Sequence, residues 1–314
     1  MKILVTGGAG FIGSEFTRKI CSGYFQPKPT KIYVLDSLTY ASNIDSLNSV
    51  IGKFEFIKGN ITNQELMNEL IAEVDYIINF AAETHVDNSI TSPMPFVHSN
   101  VVGTATILNS LRKNRSVKLI QISTDEVYGS IIKGSWDETY PLKPKSPYSA
   151  SKASADLLIG SYISTYGIRA NITRCCNNYG FFQHNEKLIP TLIDCILRNE
   201  KIPIYGNGNN VREWIHVTDH CRAIWNVLVN GTDGEIFNVG SSIEITNLKL
   251  AEMVLDLLGA SHNLITFVKD RPGHDFRYSL NSNKIRDLLG FETEISFKDG
   301  LIETVNWYKA KFFN

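Results

Sequence analysis

Two short stretches of this chain carry side chains able to move protons. The first reads Ser123-Thr124-Asp125-Glu126-Val127-Tyr128-Gly129 and the second Tyr148-Ser149-Ala150-Ser151-Lys152. Adjacent carboxylates raise one another's pKa, so Asp125 and Glu126 form a pair in which one member stays protonated and the other acts as a base. Tyr148 and Lys152 are spaced to share one face of a helix. A tyrosine ordinarily titrates near 10, and a neighbouring ammonium favours its phenolate. Acid, base, phenol and ammonium together suit the withdrawal of protons from a hydroxylated substrate.

These side chains need elements to bring them together. The apolar run Val117 to Ile122 has the β-branched content of a buried strand. On a regular strand, neighbouring acids would face opposite sides of the sheet, so Asp125 and Glu126 must lie beyond its end. Pro147 opens a helix predicted to run to about Tyr166, and its small residues suit close approach. Upstream, the strand Lys2 to Thr6 runs into Gly7-Gly8-Ala9-Gly10-Phe11-Ile12-Gly13 and then an amphipathic segment. Glycines at Gly7, Gly10 and Gly13 permit a tight turn, backbone approach to a pyrophosphate, and close helix–strand packing. A second strand, Lys31 to Leu35, ends in Asp36, placed to hold adenosine ribose hydroxyls. No Arg follows at once to receive a 2′-phosphate, which favours NAD over NADP.

Further strand–helix units follow: Phe54 to Ile57, Gln64 to Ala72, Asp75 to Phe80, and a long helix from Pro95 to Asn114. The alternation predicts an α/β fold with a doubly wound parallel sheet, a Rossmann-like NAD-binding domain. From Cys175 onward the chain turns loop-rich and polar, in keeping with a smaller mixed α/β lobe over the strand ends. Residues 1–174 plus about 213–242 are expected to form the cofactor domain, and 175–212 plus about 243–314 the substrate lobe.

Lys plus Arg number 31 against 32 acidic residues, a balance that points to neither nucleic acid nor an anionic membrane as the main partner. No apolar run approaches the roughly 20 residues of a spanning helix. The N-terminus reads as a first strand rather than a secretory signal. Cys21, Cys175, Cys176, Cys195 and Cys221 are scattered without metal-ligand spacing and read as reduced thiols in the cytoplasm, so no metal is expected. His85 reads as a structural histidine; His216, His220 and His274 have no catalytic assignment, and Trp214 and Trp225 read as core.

With these motifs in view, the sequence resembles the extended short-chain dehydrogenases/reductases, and more narrowly the dTDP-glucose 4,6-dehydratase family. The likeness runs from Thr6-Gly7-Gly8-Ala9-Gly10-Phe11-Ile12-Gly13 to Asp270-Arg271-Pro272-Gly273-His274-Asp275. Its narrower marks are Thr124-Asp125-Glu126, Glu186-Lys187-Leu188-Ile189-Pro190 and the Arg-Pro-Gly-His-Asp run. The resemblance implies oxidation at C4 of a nucleotide-linked hexose with Tyr148 as base, loss of water across C5 and C6 by Glu126 and Asp125, and reduction at C6. Thr124 would bond near the 4-hydroxyl, and Lys152 with the nicotinamide charge would lower the Tyr148 pKa.

The resemblance also implies binding residues. Phe11, Ile12, Asp36, Ser37, Leu38, Thr39, Asn60, Ile61, Phe80, Ala81, Ala82, Ser99, Tyr148, Lys152 and Asn178 fall where the family holds NAD. Thr84, Thr124, Asn177, Glu186, Lys187, Leu188, Pro203, Tyr205, Arg212, Asn247, Arg271 and His274 fall where it holds the nucleotide sugar. The planar fork of Arg212 suits the diphosphate. Asn60 stands where the family usually has Asp. Asn88, Phe181-Phe182 and Phe276 also depart from the pattern, beside the expected sugar and nucleotide contacts. The alternatives are a dehydratase acting on UDP-glucose or a UDP-2-acetamido sugar, a 4-epimerase or decarboxylase needing only Tyr148 and NAD, and a silent NAD-binding scaffold. A homodimer is expected through a four-helix contact of the Val101 to Leu111 and Tyr148 to Ile159 helices.

Overall fold

The computed structural model describes residues 1–313; the expected end of the substrate lobe at Asn314 lies outside the described residues. In chain order the large sheet collects β1 (Lys2–Thr6), β2 (Lys31–Asp36), β3 (Glu55–Lys58), β4 (Tyr76–Asn79), β5 (Lys118–Thr124), β6 (Arg169–Cys175) and β10 (Ile236–Val239). These seven strands are parallel, in the spatial order β10-β6-β5-β4-β1-β2-β3. The order reverses between β1 and β4, and crevices at such reversals lie beyond the carboxyl ends of the strands.

Alternate residues explain why both faces are covered. Ile3, Val5, Val34, Ile78 and Ile120 join one apolar cluster, whereas Leu4, Leu35, Ile77 and Leu119 join another. With side chains alternating along a strand, an uninterrupted apolar sequence requires helices on both sides. Those helices include α1 (Phe11–Ser22), α2 (Gln64–Ala72), α5 (Gly103–Leu111), α6 (Pro147–Tyr166) and α8 (Val217–Asn230). The α6 bounds follow from its sequence. Ser146 caps the helix with Ser149 in a reciprocal capping box, Pro147 fills the first turn, and Gly167 closes it at φ 64°.

One short helix, α3 (Val86–Thr91), was not evident from periodicity, and it is followed by α4 (Met94–Phe96). The latter runs through a π turn at Val97–Val102 into α5, so the long helix expected from Pro95 is continuous but locally widened.

The smaller lobe contains a three-stranded sheet of β7 (Asn177–Tyr179), β9 (Val211–His216) and β11 (Glu244–Thr246), and a parallel pair, β8 (Ile202–Tyr205) with β12 (Ile265–Val268). Around its own apolar cluster pack α7 (Leu188–Leu197), α9 (Asn247–Leu258) and α11 (Phe297–Phe313). The return to the large sheet was expected near residue 213. Because β9 pairs with β7 and β11, it comes with α8 and β10 instead. α10 (Asn283–Leu289) then packs back on β10, so part of the final segment also covers the large sheet.

Candidate active site

At the glycine turn the chain leaves β1 with Gly7 at φ 68°, and a Cβ there would stand 2.6 Å from the Ala81 backbone nitrogen. A Cβ on Gly13 would stand 2.2 Å from the Gly7 carbonyl oxygen. Both positions therefore demand glycine, the first for its dihedral and both for space. Gly10 leads into α1 without a side-chain cap, and Gly10, Phe11, Ile12 and Gly13 border a large cavity. The unpaired N–H groups of that first turn are suited to a pyrophosphate. Asp36, at the end of β2, accepts from the Ala9 N–H at 2.9 Å, the Leu38 N–H at 2.8 Å and the Ser42 hydroxyl at 2.8 Å. Its carboxylate is thereby fixed at the rim of the same cavity.

The Ser123 to Gly129 stretch leaves the sheet where strand alternation predicts. β5 ends at Thr124, and Asp125–Tyr128 form a single 3-10 turn, so the two acids leave the sheet before their side chains diverge. Asp125 is buried, and burial followed by the Glu126 and Glu213 carboxylates pushes its pKa well above the usual carboxylate range. Burial also raises Glu126, but the cations of Arg212, Arg271 and Lys187 oppose it. Environment therefore separates the pair: Asp125 keeps its proton more strongly and Glu126 is the readier base.

Tyr148 sits in the first turn of α6 with Lys152 one turn further on. Lys152 is anchored from below. Its Nζ donates to the Ile122 carbonyl at 2.5 Å, and Asp156 is the leading charge that favours its protonated form against burial. Burial, Glu126 and Cys175 push the Tyr148 phenol well above its ordinary value, while the Thr124 hydroxyl works the other way.

All these groups border one cavity of about 640 Å³. Every residue assigned to cofactor or sugar from the sequence lines it except Leu38, among the described residues. Leu38 is at φ 54° and over a third exposed, and its contribution is the backbone N–H that fixes Asp36. Asn178 lines the cavity with its amide already engaged, to His220 Nδ1 at 2.8 Å and to the Cys176 carbonyl at 3.0 Å. Burial lowers His220 to about 3, leaving it neutral. Of the departures from the family pattern, Asn60 lines the cavity. Phe181 stacks on Trp307 with ring centroids 5.6 Å apart, Phe182 lies under Arg18, Phe276 is half exposed, and Asn88 bonds the Tyr40 hydroxyl at 3.3 Å. None of these four lines the cavity, although the Phe276 carbonyl accepts from the cavity-lining Arg212 at 3.4 Å.

The cavity mouth is tied across the two lobes. Asp87 on α3 meets Arg271 at 2.8 Å and accepts from the Tyr205 hydroxyl at 3.2 Å, and Lys187 donates to the Thr84 carbonyl at 3.0 Å. Deeper in, buried polar atoms of the wall remain without a protein partner: Asp125 Oδ2, Asn247 Oδ1 and Arg271 Nε. Buried polar groups are ordinarily satisfied, so an unpaired set around one cavity fits a polar ligand. Tyr278, Cys175, Glu83 and His184 also line the cavity and were missed from sequence. Tyr278 could have been found, since it stands just past the Arg-Pro-Gly-His-Asp run.

The parallel sheet, the glycine turn and the Tyr148/Lys152 helix define an extended short-chain dehydrogenase/reductase. The sequence matches the family model described as GDP-mannose 4,6 dehydratase over residues 4–304. It is 48% identical over 312 residues to a dTDP-glucose 4,6-dehydratase of Streptomyces niveus, covering 98% of this chain and 93% of the relative. A low-salt glycan biosynthesis protein of Haloferax volcanii is 47% identical over 310 residues, covering 98% of each. Among solved structures, a dTDP-glucose 4,6-dehydratase of Streptomyces venezuelae with NAD and TYD bound superposes at a TM-score of 0.97, with 48% identity over 99% of this chain and 97% of that one. A UDP-glucose 4-epimerase of Thermotoga maritima gives a TM-score of 0.91 at 27% identity, covering 99% of this chain and 100% of its own. The chain belongs to the dTDP-glucose 4,6-dehydratase family.

Proposed function

We propose that this protein converts dTDP-glucose to dTDP-4-keto-6-deoxyglucose and water, using tightly bound NAD. The observation that carries the reading is the contrast between Asp125 and Glu126: adjacent acids at one cavity wall, one held protonated by burial and one faced by three cations.

The residues present fit NAD. Gly7 and Gly13 leave no room for a Cβ, the uncapped turn of α1 borders the cavity, and the Asp36 carboxylate is held at its rim. The chemistry supplied by bound NAD is reversible two-electron oxidation: the pair withdrawn at sugar C4 is returned at C6, leaving the cofactor as it began.

The chain supplies the proton steps. Tyr148 Oη takes the proton of the 4-hydroxyl as the phenolate, a form that the Thr124 hydroxyl favours against burial and that the positive charge of bound NAD would favour further. The resulting 4-ketone acidifies C5–H, and the Glu126 carboxylate removes that proton. Asp125 delivers its proton to the 6-hydroxyl, which leaves as water. After reduction at C6, C5 is reprotonated from Glu126, and the proton gathered by Tyr148 replaces the one given by Asp125. Arg212, Arg271 and Lys187 would bind the diphosphate and Asn247 the nucleotide end, the large-sheet domain holding NAD and the smaller lobe the sugar nucleotide.

Incubating the protein with dTDP-glucose in heavy water tests the reading. The expected product is the 4-keto-6-deoxy sugar with one deuterium at C5; unchanged sugar would refute it. The same assay with UDP-glucose and a UDP-2-acetamido sugar tests the base and hexose.

We further propose a cytoplasmic homodimer. No described helix is long and apolar enough to cross a membrane, and all five cysteines are free. Val97 and Val102 lie exposed on the helix running into α5, and Leu157, 66% exposed, lies on α6 near the small residues Ala150 and Gly160. Such neighbouring apolar positions suit a four-helix contact between two copies.

A further inference from the structure

Arg212 is a buried arginine whose donors are largely committed to backbone. Its Nη1 donates to the Val211 carbonyl at 2.8 Å, and its Nη2 to the Asp275 carbonyl at 3.0 Å. Its guanidinium carbon stands 4.4 Å from the ring centroid of Tyr278. Tyr278 is itself only 4% exposed, lines the cavity, and donates its hydroxyl to Asp275 Oδ2 at 2.8 Å. One short segment, Asp275 to Tyr278, thus supplies Arg212 with both a carbonyl and an aromatic face. The segment is pinned to the strand carrying Arg212, since the Val211 N–H donates to the Phe276 carbonyl at 2.8 Å and the Tyr278 N–H donates to the Val211 carbonyl at 3.4 Å.

We propose that Tyr278 is a positioning residue for diphosphate recognition: its ring face holds the Arg212 guanidinium in the orientation that meets the nucleotide diphosphate. The inference rests on the reading of Arg212 as a diphosphate ligand. A guanidinium over an aromatic face is attracted by the ring quadrupole, and the attraction strengthens when water is excluded. The hydroxyl bond to Asp275 fixes the ring in turn, so the platform is held from both ends. Of the three cations that face Glu126, Arg212 is the leading one, so the same platform also keeps a charge beside the catalytic base.

The test uses the NAD-loaded protein and thymidine diphosphate, with calorimetric Kd as the readout. Arg212→Met is measured first and should weaken binding at least tenfold. Phenylalanine is then placed at position 278, followed by mono-, di- and trifluorinated phenylalanine, which progressively drain the ring face at nearly constant shape. Kd should climb along that series to roughly tenfold above the Tyr278→Phe protein, while Tm stays level. In an Arg212→Met background the same series should be flat, because there is no guanidinium left to hold. A flat series with Arg212 present, or an equal climb without it, overturns the role of Tyr278 alone. Unchanged affinity in Arg212→Met overturns the diphosphate assignment on which the proposal stands.

Discussion

The Thr124 hydroxyl donates to Asp125 Oδ1 at 3.1 Å, leaving Asp125 Oδ2 buried without a protein partner. The same hydroxyl accepts the Glu126 N–H at 3.3 Å and acts on the Tyr148 phenol. One small side chain therefore registers three groups that line one cavity, and in the proposed mechanism the free carboxyl oxygen carries the departing proton.

Replacing the acids should separate the chemical steps. Glu126→Gln is expected to cut kcat by about 10²–10⁴-fold and abolish deuterium uptake at C5. Asp125→Asn should lower water loss by a comparable factor, with C5 exchange surviving better than in Glu126→Gln. Mass spectrometry of product and recovered substrate distinguishes the two. An enzyme that only epimerises C4 would retain turnover in both.

The pH profile should respond to Arg212. Glu126 must be ionised to act, so its pKa forms the acid limb of kcat. Removing a cation that favours its ionised form raises that pKa. Arg212→Met should therefore shift the acid limb to higher pH, a displacement read from kcat at saturating sugar nucleotide.

Asp125 should also show itself in stability. Its folded pKa is raised, so above the unfolded-state value near 3.8 the native protein retains a proton that the unfolded chain has lost. Stability then falls as pH rises, by up to about 1.4 kcal/mol per pH unit, until the folded pKa is passed. Asp125→Asn removes this loss. Denaturant titration should find the variant more stable than the parent at neutral pH, with the difference shrinking toward pH 4.

Gly13→Ala should cost cofactor before it costs the fold. The added methyl meets the Gly7 carbonyl at 2.2 Å and forces the turn outward. Overpacking of this kind destabilises by about 1–3 kcal/mol. The purified variant should carry far less NAD, measured by absorbance after acid release.

Leu157→Glu places a charge on the exposed face of α6 and touches neither cavity nor core. Sedimentation velocity should show the parent as a dimer and the variant shifted to monomer, and a monomeric parent would refute the dimer itself.

The parts read from sequence were those governed by local rules. The α6 limits follow from Pro147 and Gly167, and the position of the acids beyond β5 follows from strand alternation. The helix Gln64–Ala72 was recovered from periodicity for the same reason. What escaped depends on long-range packing. That Lys152 gives one donor of its ammonium to the Ile122 carbonyl is decided by how α6 lies on β5. Phe181 and Phe182 could not be assigned to α11 and Arg18 before the lobes were docked. Tyr278 gained its place only through an arginine far upstream in the chain.

The stitches between Asp87, Arg271 and Tyr205 have a kinetic corollary. On the proposed diphosphate role, Arg271 has two rival anions, the Asp87 carboxylate and an arriving phosphate, so each arrival trades one ion pair for another. Swapping partners changes the net contact free energy little, yet it removes one of the two ties between Asp87 and the opposite lobe and leaves only the Tyr205 bond. Ligand departure should accordingly quicken in concentrated salt, as counter-ions weaken whichever pair is closed at that moment.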